Sequence, residues 1–328
     1  MKKLSIVIPT YNRAKYLIEN VASLCLNIGR NINNVELMIC DNASEDDTEE
    51  LLAPFLAKYS YINYIRHKKN LGAHANFYYG VEHANGEYVV LLGDDDMLSP
   101  YYCDTILQIL NDYHPDIINY NYLQINNKET ELTLFDRDNY GKGLRLYEGA
   151  TFIQTIWNKA SFISCNVFKK ELMLKGMKEC FHPECYGYDW YLCLLYGVKD
   201  SACAIHYDYP LAIQSVADNR TIPNWSLYAI VGMGNVYKFL NSYIPGIWNN
   251  WKKSTRKDYC SFLYNICSVN VGKISAKEHK MEYHEHFNNN FEKMLFTISL
   301  HVDRVTMKII KLIIKILCLV KCFKNYYL

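Results

Sequence analysis

Short runs of aliphatic and β-branched residues alternate with longer helical patterns over the first hundred positions, and this alternation constrains the fold more than any other feature. The apolar runs occupy residues 4–8, 35–40, 61–65 and 88–92. The helical patterns occupy residues 16–28, 46–59 and 70–83. Buried strands that alternate with helices are typical of a parallel sheet with helices on both faces. The sequence therefore predicts an α/β fold with a doubly wound, mostly parallel sheet.

The pattern changes after Pro100. Helices are predicted at 101–113, 149–159 and 188–197, and extended segments at 116–121 and 161–168. The polar stretch 124–148 is typical of a loop or a hairpin. From about residue 226 onward the pattern is mostly helical.

Composition excludes several classes of protein. The chain has 328 residues, of which 50% are hydrophobic, so a largely disordered chain is excluded. Lys and Arg number 35 against 34 Asp and Glu, a balance that leaves no global basic field to bind nucleic acid. The 12 cysteines have no framework spacing, and Pro9 and Arg13 interrupt the first apolar run too early for a secretory signal. We therefore expect reduced thiols and a cytoplasmic location.

Polar clusters follow the first two predicted strands, at the positions where doubly wound sheets bind ligands. The residues PTYNR at 9–13 follow the first strand, and Asp41, Asn42 and Ser44 follow the second. A carboxylate at a strand end can accept a hydrogen bond from a base or a ribose hydroxyl. Ser44 is equally a candidate cap of the next helix, whereas Asp41 comes too early to cap it. We therefore favour a ligand-binding role for Asp41.

Three consecutive carboxylates, Asp94, Asp95 and Asp96, follow Gly93 at the end of the fourth apolar run. Adjacent carboxylates at the end of a buried strand repel one another unless a cation or solvent neutralises them. Mg²⁺ and Mn²⁺ bind one or two carboxylates together with diphosphate oxygens. This pattern favours a divalent-cation site over an exposed acidic turn.

Together these motifs resemble a family 2 glycosyltransferase with the GT-A fold. The resemblance rests on PTYNR at 9–13, DNASEDDT at 41–48, NLG at 70–72, GEYVVLLGDDD at 86–96 and YDWYL at 188–192. It is specific over residues 4–100 and weaker from there to about 220. It implies an inverting enzyme that moves a sugar from a nucleotide donor, for which we expect a UDP-sugar. The acceptor would be a glycan or a lipid-linked glycan of bacterial surface-polysaccharide synthesis, and Mn²⁺ or Mg²⁺ would bind the diphosphate.

The resemblance also assigns roles by position. Residues 1–100 would bind the nucleotide sugar, 101–225 would bind the acceptor and carry the base, and 226–328 would form a helical extension. Asp95 and Asp96 would bind the metal, although the register leaves open which of the three acids does so. Asp189 would be the catalytic base. The implied nucleotide-binding residues are Pro9, Thr10, Tyr11, Arg13, Asp41, Asn42, Ser44, Asn70, Gly72 and Asp94.

Two departures from the family pattern concern acidic residues. The usual Leu-Asp-x-Asp-Asp places its first Asp on Gly93, and Asp94 is an extra acid that would serve the ribose instead. The usual Glu before the late helix is replaced by Tyr188, whereas Asp189 is retained. A carboxylate that accepts the proton of the attacking hydroxyl contributes about 10²–10⁴ in rate. The alternative role for Asp189 is to cap an apolar helix.

The acceptor side carries weaker signals. His182 and Glu184 lie just upstream of Asp189 and are candidate acceptor-binding residues. Trp190 either stacks on a sugar or belongs to the core. The alternative function is a non-catalytic nucleotide-sugar-binding or scaffold protein of the same fold, which loss of an acidic cluster would have favoured. A nucleotidyltransferase or a dehydrogenase is disfavoured because no glycine-rich loop follows the first strand.

The end of the chain has a basic amphipathic pattern. Residues 304–323 place aliphatic side chains on one side of a helix and Arg304, Lys308, Lys311 and Lys315 on the other. Residues 303–328 carry a local net charge of +5. These charges disfavour a membrane-spanning helix and favour one that lies in an anionic membrane surface, on the inner face of the cell membrane. The alternative is a helix that docks on the body or on another subunit.

Overall fold

The computed structural model describes residues 2–125, 132–137, 140–156, 159–185, 187–215 and 231–255, with isolated residues at 293, 294, 297, 301 and 309. The predicted basic helix at 304–323 lies outside these residues, apart from position 309. Among the described residues, no helix is both long enough and apolar enough to cross a membrane.

The chain divides into two compact units. The first unit comprises Met1–Phe181 and Trp190–Arg220, and the second comprises His182–Asp189 and Thr221–Leu328. The expected division of roles among residues 1–100, 101–225 and 226–328 stays a prediction.

One mixed sheet forms the centre of the first unit. Within the described residues its strands are β1 (Lys2–Thr10), β2 (Val35–Asp41), β3 (Ile62–Arg66), β4 (Gly86–Leu91), β5 (Met97–Leu98), β6 (Ile117–Ile125), β7 (Leu132–Leu134), β8 (Leu144–Tyr147), β9 (Asn166–Lys169) and β10 (Ala204–Gln214). Across both units, the helices of the described residues are α1 (Ala14–Ile28), α2 (Thr48–Lys58), α3 (Ala73–His83), α4 (Tyr102–Tyr113), α5 (Gly149–Ile156), α6 (Lys170–Glu179), α7 (Asp189–Val198), α8 (Met233–Leu240) and α9 (Ile247–Thr255).

The strand order is β3-β2-β1-β4-β9-β6-β10-β5, with β7 beside β6 and β8 beside β10. Strands β1 to β4 pair in parallel, and β10 is parallel to β6. Strand β9 is antiparallel to both of its neighbours, β4 and β6, so β6 and β10 run in the same direction as β1 to β4. The predicted α/β class with a mostly parallel sheet is confirmed.

Side chains of β1 alternate between two buried faces, as a doubly wound sheet requires. Leu4, Ile6 and Ile8 pack in one core cluster with α1. Val7 points to the opposite face, where a β-carbon built on Gly80 of α3 would lie 2.5 Å from Val7 Cγ1. Only a glycine therefore allows α3 to pack this closely on that face.

Strand β10 has no counterpart among the predicted elements. Its sequence, AIHYDYPLAIQ, lacks a clear apolar alternation because His206 and Asp208 are polar yet only 1% and 0% exposed. Pro210 lies at a register shift in the pairing with β6, where a missing backbone donor is tolerated. Because of its buried polar residues and its bulge, the sequence pattern does not predict this central strand.

The described part of the second unit is helical, in agreement with the pattern predicted from about residue 226. It contains the short 3₁₀ turn Pro183–Cys185 and helices α8 and α9. The Trp248 and Trp251 rings stack with their centroids 5.2 Å apart. The ring of Tyr237 stacks on Trp251 from α8, with centroids 6.3 Å apart. Aromatic packing therefore joins these two helices.

Candidate active site

The carboxyl ends of β1, β2 and β4 lie side by side at one edge of the sheet. Thr10, the last residue of β1, pairs in register with Asp41, the last residue of β2. On the other side of β1, the backbone N–H of Leu92 donates to the carbonyl of Val7 at 2.8 Å. The polar clusters that follow these strands therefore converge at a single edge.

Arg13 joins two of the three consecutive acids. Its Nε donates to Asp94 Oδ1 at 2.8 Å, and its Nη2 donates to Asp95 Oδ2 at 2.6 Å. Thr10 Oγ1 donates to the other oxygen of Asp94 at 2.9 Å. The Asp94 and Asp95 side chains are 9% and 4% exposed, whereas that of Arg13 is 30% exposed. The Arg13 guanidinium also lies over the Tyr16 ring. Four predicted site residues, Thr10, Arg13, Asp94 and Asp95, thus form one largely buried ionic cluster.

Burial and charge act in opposite directions in this cluster. Burial raises the pKa of Asp94 above its ordinary value, although the Arg13 guanidinium and the Thr10 hydroxyl favour the ionised form. Burial also opposes the charge of Arg13, but the Asp94 and Asp95 carboxylates outweigh it and raise the pKa of Arg13. The guanidinium therefore stays charged, and its removal would leave buried carboxylates without this partner.

Asp96 is held by other elements of the first unit. Its Oδ2 accepts from Ser164 Oγ at 2.6 Å, and its Oδ1 accepts from the backbone N–H of Ser215 at 3.1 Å. Ser164 Oγ also accepts from the backbone N–H of Gly93 at 2.9 Å. Asp96 therefore ties the turn after β4 to the 3₁₀ turn Ile163–Cys165 and to the end of β10. The sequence did not predict Ser164, which carries no local motif and lies 68 positions from its partner.

The donor atoms of this cluster fit a hard divalent cation. Asp94, Asp95 and Asp96 offer carboxylate oxygens, and their combined negative charge exceeds the single positive charge of Arg13. In the described part of the chain, no three His, Cys, Asp or Glu side chains are arranged as a formed metal site. The acid oxygens instead accept from Arg13, Thr10, Ser164 and Ser215. A cation that binds here therefore exchanges with at least one of these donors.

The turn after β2 is organised around Asp41. This residue is 0% exposed. Its Oδ1 accepts from the backbone N–H of Ser44 at 2.8 Å, and its Oδ2 accepts from the Tyr64 hydroxyl at 2.7 Å. Arg66 Nε lies 3.6 Å from the same Oδ2. Asp41 therefore closes its own turn as well as standing at the predicted nucleotide-binding edge. Tyr64 and Arg66 were not predicted, although their position at the end of a predicted strand marks them as candidates.

Asn42 connects the turn after β2 to the NLG motif. Its Nδ2 donates to Asn70 Oδ1 at 2.9 Å, and its Oδ1 accepts from the backbone N–H of Leu71 at 2.8 Å. Asn70 Oδ1 also accepts from the backbone N–H of Gly72 at 2.8 Å. Gly72 has a φ of 84°, a conformation that favours glycine. The structure therefore brings these predicted residues into direct contact.

Asn12 links the loops that follow β1 and β2, and the sequence did not single it out as a site residue. Its backbone N–H donates to Ser44 Oγ at 2.9 Å, and its Oδ1 accepts from the backbone N–H of Glu45 at 2.7 Å. Its φ of 53° is left-handed, which Asn tolerates better than most residues. Beside it, Pro9 is partly buried and Tyr11 is 40% exposed, so Tyr11 offers a ring face at this edge.

The predicted base and the residues predicted to bind the acceptor are adjacent in sequence but are divided between the two units. Asp189, the first residue of α7, belongs to the second unit and is 7% exposed. His182 and Glu184 line a cavity of about 260 Å³ in the second unit. Trp190 belongs to the first unit and is 6% exposed, with its ring centroid 5.5 Å from that of Tyr191. Little of Trp190 is available to stack on a sugar, and its acceptor role stays a prediction.

The second-unit cavity combines aromatic and polar groups. The His182 ring centroid lies 5.3 Å from that of Phe239, and His182 Nδ1 lies 3.9 Å from Glu184 Oε2. Asn235 Nδ2 donates to the Glu184 carbonyl at 2.8 Å. Lys238 completes the lining. This mixture of one aromatic ring with several hydrogen-bonding groups suits a polar ligand.

Solved structures of low sequence identity share the fold. The crystal structure of S. aureus TarS 1–349 in complex with UDP-GlcNAc has a TM-score of 0.61 at 16% identity, over 87% of this chain and 79% of that one. The mannosyltransferase PcManGT from Pyrobaculum calidifontis, in complex with GDP-Man and Mn²⁺, has a TM-score of 0.58 at 13% identity, over 92% of this chain and 87% of that one. These similarities confirm the expected GT-A fold.

Sequence relatives are similar over part of their length. The abequosyltransferase RfbV of Salmonella typhimurium is 41% identical over 97 residues, which are 29% of this chain and 29% of that protein. The GalNAc(5)-diNAcBac-PP-undecaprenol beta-1,3-glucosyltransferase of Campylobacter jejuni is 27% identical over 188 residues, 57% of each chain. Residues 5–172, slightly more than half of the chain, match the family described as glycosyl transferase family 2. This protein therefore belongs to glycosyl transferase family 2.

Proposed function

We propose that this protein is an inverting glycosyltransferase. It moves a sugar from a nucleoside-diphosphate sugar, expected to be a UDP-sugar, to a hydroxyl of a glycan or lipid-linked acceptor. The observation that carries the proposal is the buried cluster of Thr10, Arg13, Asp94 and Asp95 at the carboxyl edge of the sheet. The cluster lies within the segment that matches the family.

The donor would bind along the edge formed by the loops after β1 and β2. Asn12, Asp41 and Asn42 hold backbone and side-chain groups there by hydrogen bonds, so these groups are already positioned for a ligand. The exposed Tyr11 ring offers a stacking surface for a base. Asp94 and the loop of Asn70 and Gly72 would complete the site for the ribose and the diphosphate.

Asp95 and Asp96 would hold Mn²⁺ or Mg²⁺, because both acids are buried and oxygen ligands suit these ions. When bound, the ion supplies positive charge against the departing diphosphate. The PcManGT complex with GDP-Man and Mn²⁺ supports this choice for a protein of the same fold.

Asp189 would accept the proton of the acceptor hydroxyl as that oxygen attacks the anomeric carbon. Inversion requires the carboxylate to lie on the face of the sugar opposite the diphosphate. The position of Asp189 in the YDWYL motif supports this role, and its low exposure would limit competition from water. His182 and Glu184 would bind the acceptor through the second-unit cavity.

The acceptor would be part of a bacterial surface polysaccharide. The Campylobacter jejuni relative is named for a polyprenyl-diphosphate-linked glycan acceptor, which supports a lipid-linked acceptor here. The basic amphipathic pattern at 304–323 would bring the protein to the inner face of the cell membrane, where such an acceptor is presented.

A donor screen tests the proposal. The purified protein is heated with UDP-, GDP-, dTDP- or CDP-sugars in the presence of Mn²⁺, and the melting temperature is compared with that of the protein and Mn²⁺ alone. We expect one nucleotide to raise the melting temperature, and EDTA to remove most of the shift. Asp95→Asn should lose the shift while keeping its own melting temperature near that of the wild type.

The outcomes separate the two functions. Binding of one nucleotide sugar together with sugar transfer supports the transferase. Binding without hydrolysis or transfer, on any acceptor extract, supports the non-catalytic alternative. The absence of any nucleotide effect would contradict both.

A further inference from the structure

Arg13 holds the same carboxylates that would face the divalent cation. Its guanidinium donates to Asp94 Oδ1 at 2.8 Å and to Asp95 Oδ2 at 2.6 Å, and these acids are 9% and 4% exposed at their side chains. Thr10 occupies the remaining oxygen of Asp94. Arg13 and Thr10 therefore hold carboxylate oxygens that a metal cation at these acids would also need.

Two cations cannot share these oxygens without a large repulsion. A divalent ion that contacts Asp95 would lie within a few ångströms of the Arg13 guanidinium, in surroundings where burial limits screening by water. The repulsion falls only if the guanidinium moves away or if further negative charge enters the cluster. A nucleoside diphosphate brings such charge in the form that a guanidinium recognises best, two oxygens in a plane.

We propose that Arg13 makes divalent-cation binding depend on the nucleotide: it neutralises Asp94 and Asp95 when the site holds no donor, and it transfers to the donor diphosphate as the cation takes its place. This inference rests on the proposed function, since it assumes a nucleotide donor at this edge. It adds that the free protein binds Mn²⁺ weakly and that nucleotide and Mn²⁺ bind cooperatively.

The position of Arg13 allows its guanidinium to exchange the acids for an incoming diphosphate. It precedes α1, and its side chain is 30% exposed, so the guanidinium can reach solvent and an incoming ligand. By contrast, Asp96 is 2% exposed and is fixed by Ser164 and Ser215 from two other segments. Asp96 therefore belongs to a fixed part of the site, whereas the partly exposed Arg13 side chain can reach an incoming ligand.

Mn²⁺ binding without nucleotide tests the inference directly. Free Mn²⁺ is measured by electron paramagnetic resonance during titration of the full chain, for the wild type and for Arg13→Gln. We expect Arg13→Gln to bind Mn²⁺ about tenfold or more tightly than the wild type, because the competing charge is removed. Arg30→Gln, which removes the same charge from the exposed turn after α1, is the matched control and should leave the affinity unchanged.

A second titration measures the coupling. UDP, or whichever nucleotide is active in the donor screen, should tighten Mn²⁺ binding to the wild type by about tenfold or more and should tighten binding to Arg13→Gln far less. If Arg13 only holds the loop in place, Arg13→Gln should weaken Mn²⁺ binding with and without nucleotide. Equal or weaker nucleotide-free binding by Arg13→Gln would overturn the inference.

Folding and function are controlled separately. Arg13→Lys keeps one positive charge without the planar fork, so it should fold and show an intermediate Mn²⁺ affinity even if Arg13→Gln does not fold. An Arg13→Lys affinity equal to the tighter affinity of Arg13→Gln would also overturn the inference, because the retained positive charge would then not compete with Mn²⁺. If no nucleotide binds the wild type, the proposed function fails. The nucleotide-free comparison of Arg13 variants still gives its own answer, so the two failures are distinguishable.

Discussion

A β-carbon built on Gly93 would lie 2.4 Å from Asp96 Oδ2, so the missing side chain at position 93 provides the space that the Asp96 carboxylate occupies. That carboxylate is turned toward Ser164 and Ser215 rather than toward solvent. The usual family pattern places an aspartate at position 93, and here its side chain would collide with Asp96. The departure at Gly93 and the inward position of Asp96 are therefore two aspects of one arrangement.

Gly93→Ala should damage both stability and the site. The added methyl group must displace Asp96 from its hydrogen bonds, and we expect the free energy of unfolding to fall by about 1–3 kcal/mol. The Mn²⁺-dependent thermal shift with nucleotide should also weaken. Gly29→Ala is the matched control, because the nearest atom to its added carbon lies 3.6 Å away. Urea denaturation of both variants measures the difference, and equal stabilities would refute the coupling.

Asp189→Asn should separate donor binding from transfer. The amide cannot accept the proton of the acceptor hydroxyl, so we expect unchanged nucleotide affinity and a loss in kcat of about 10²–10⁴. Asp189 begins α7, and a capping role predicts instead a lower melting temperature with activity largely kept. Asp200→Asn, at an exposed carboxylate just after the end of the same helix, is the control. A variant that retains more than about a tenth of the wild-type rate would rule out Asp189 as the base.

His206 should make stability depend on pH. It is 1% exposed, with Nδ1 2.8 Å from Asn119 Oδ1, and burial together with Arg145 and Lys159 lowers its pKa to about 3. An unfolded histidine titrates near pH 6.5, so between about pH 3 and 6.5 the unfolded chain binds more protons than the folded chain. The contribution of neutral His206 to the free energy of unfolding is complete above this pH range. It is lost as the pH falls through the range, by up to about 1.4 kcal/mol per pH unit.

His206→Gln tests this dependence. Between pH 7.5 and pH 5.5 the wild type should lose more free energy of unfolding than the variant does, by about 1 kcal/mol. The variant is expected to be less stable at both values, because it alters a buried hydrogen bond, so the comparison concerns the change with pH. Urea unfolding of both proteins at the two pH values measures this change in the free energy of unfolding. Parallel losses in the two proteins would show that His206 does not titrate on unfolding in this range.

Removal of residues 303–328 should release the protein from anionic vesicles. Four basic residues aligned on one face of a helix near an anionic surface contribute about 1 kcal/mol each, and high salt should weaken binding of the intact chain. Catalysis on a soluble acceptor analogue should persist, because the proposed catalytic residue lies upstream. The docking alternative predicts a lower melting temperature or aggregation of the truncated protein. Unchanged vesicle binding would reject the membrane role.

The first four strands could be predicted because each is a continuous apolar run buried on both faces, and the motif residues then follow from where those strands end. The prediction placed Thr10, Arg13, Asp94 and Asp95 at one edge, and the structure joins them by hydrogen bonds. This part of the fold depends on local patterns, which a single sequence displays.

Contacts between distant segments could not be predicted. Ser164 and Ser215 meet Asp96 from segments 68 and 119 positions away, and neither lies in a recognisable motif. Strand β10 was missed because its buried His206 and Asp208 imitate a surface pattern. The pairing of Arg13 with Asp94 and Asp95 was also not predicted, since the family resemblance assigned each of these residues to the nucleotide or the metal and not to one another. In each case the feature depends on contacts made in the tertiary fold, and the neighbouring sequence contains no motif that predicts it.

Sugar transfer from a nucleotide donor is tested most directly by the release of nucleoside diphosphate from UDP-, GDP-, dTDP- and CDP-sugars in Mn²⁺. The wild type and Asp189→Asn are measured side by side, with water and then with a membrane glycolipid extract as acceptor. We expect the wild type to release one nucleoside diphosphate, faster with the extract than with water, and at least about tenfold faster than Asp189→Asn. Release no faster than in buffer alone, for every donor and with either acceptor, would contradict the assignment of this protein as a transferase.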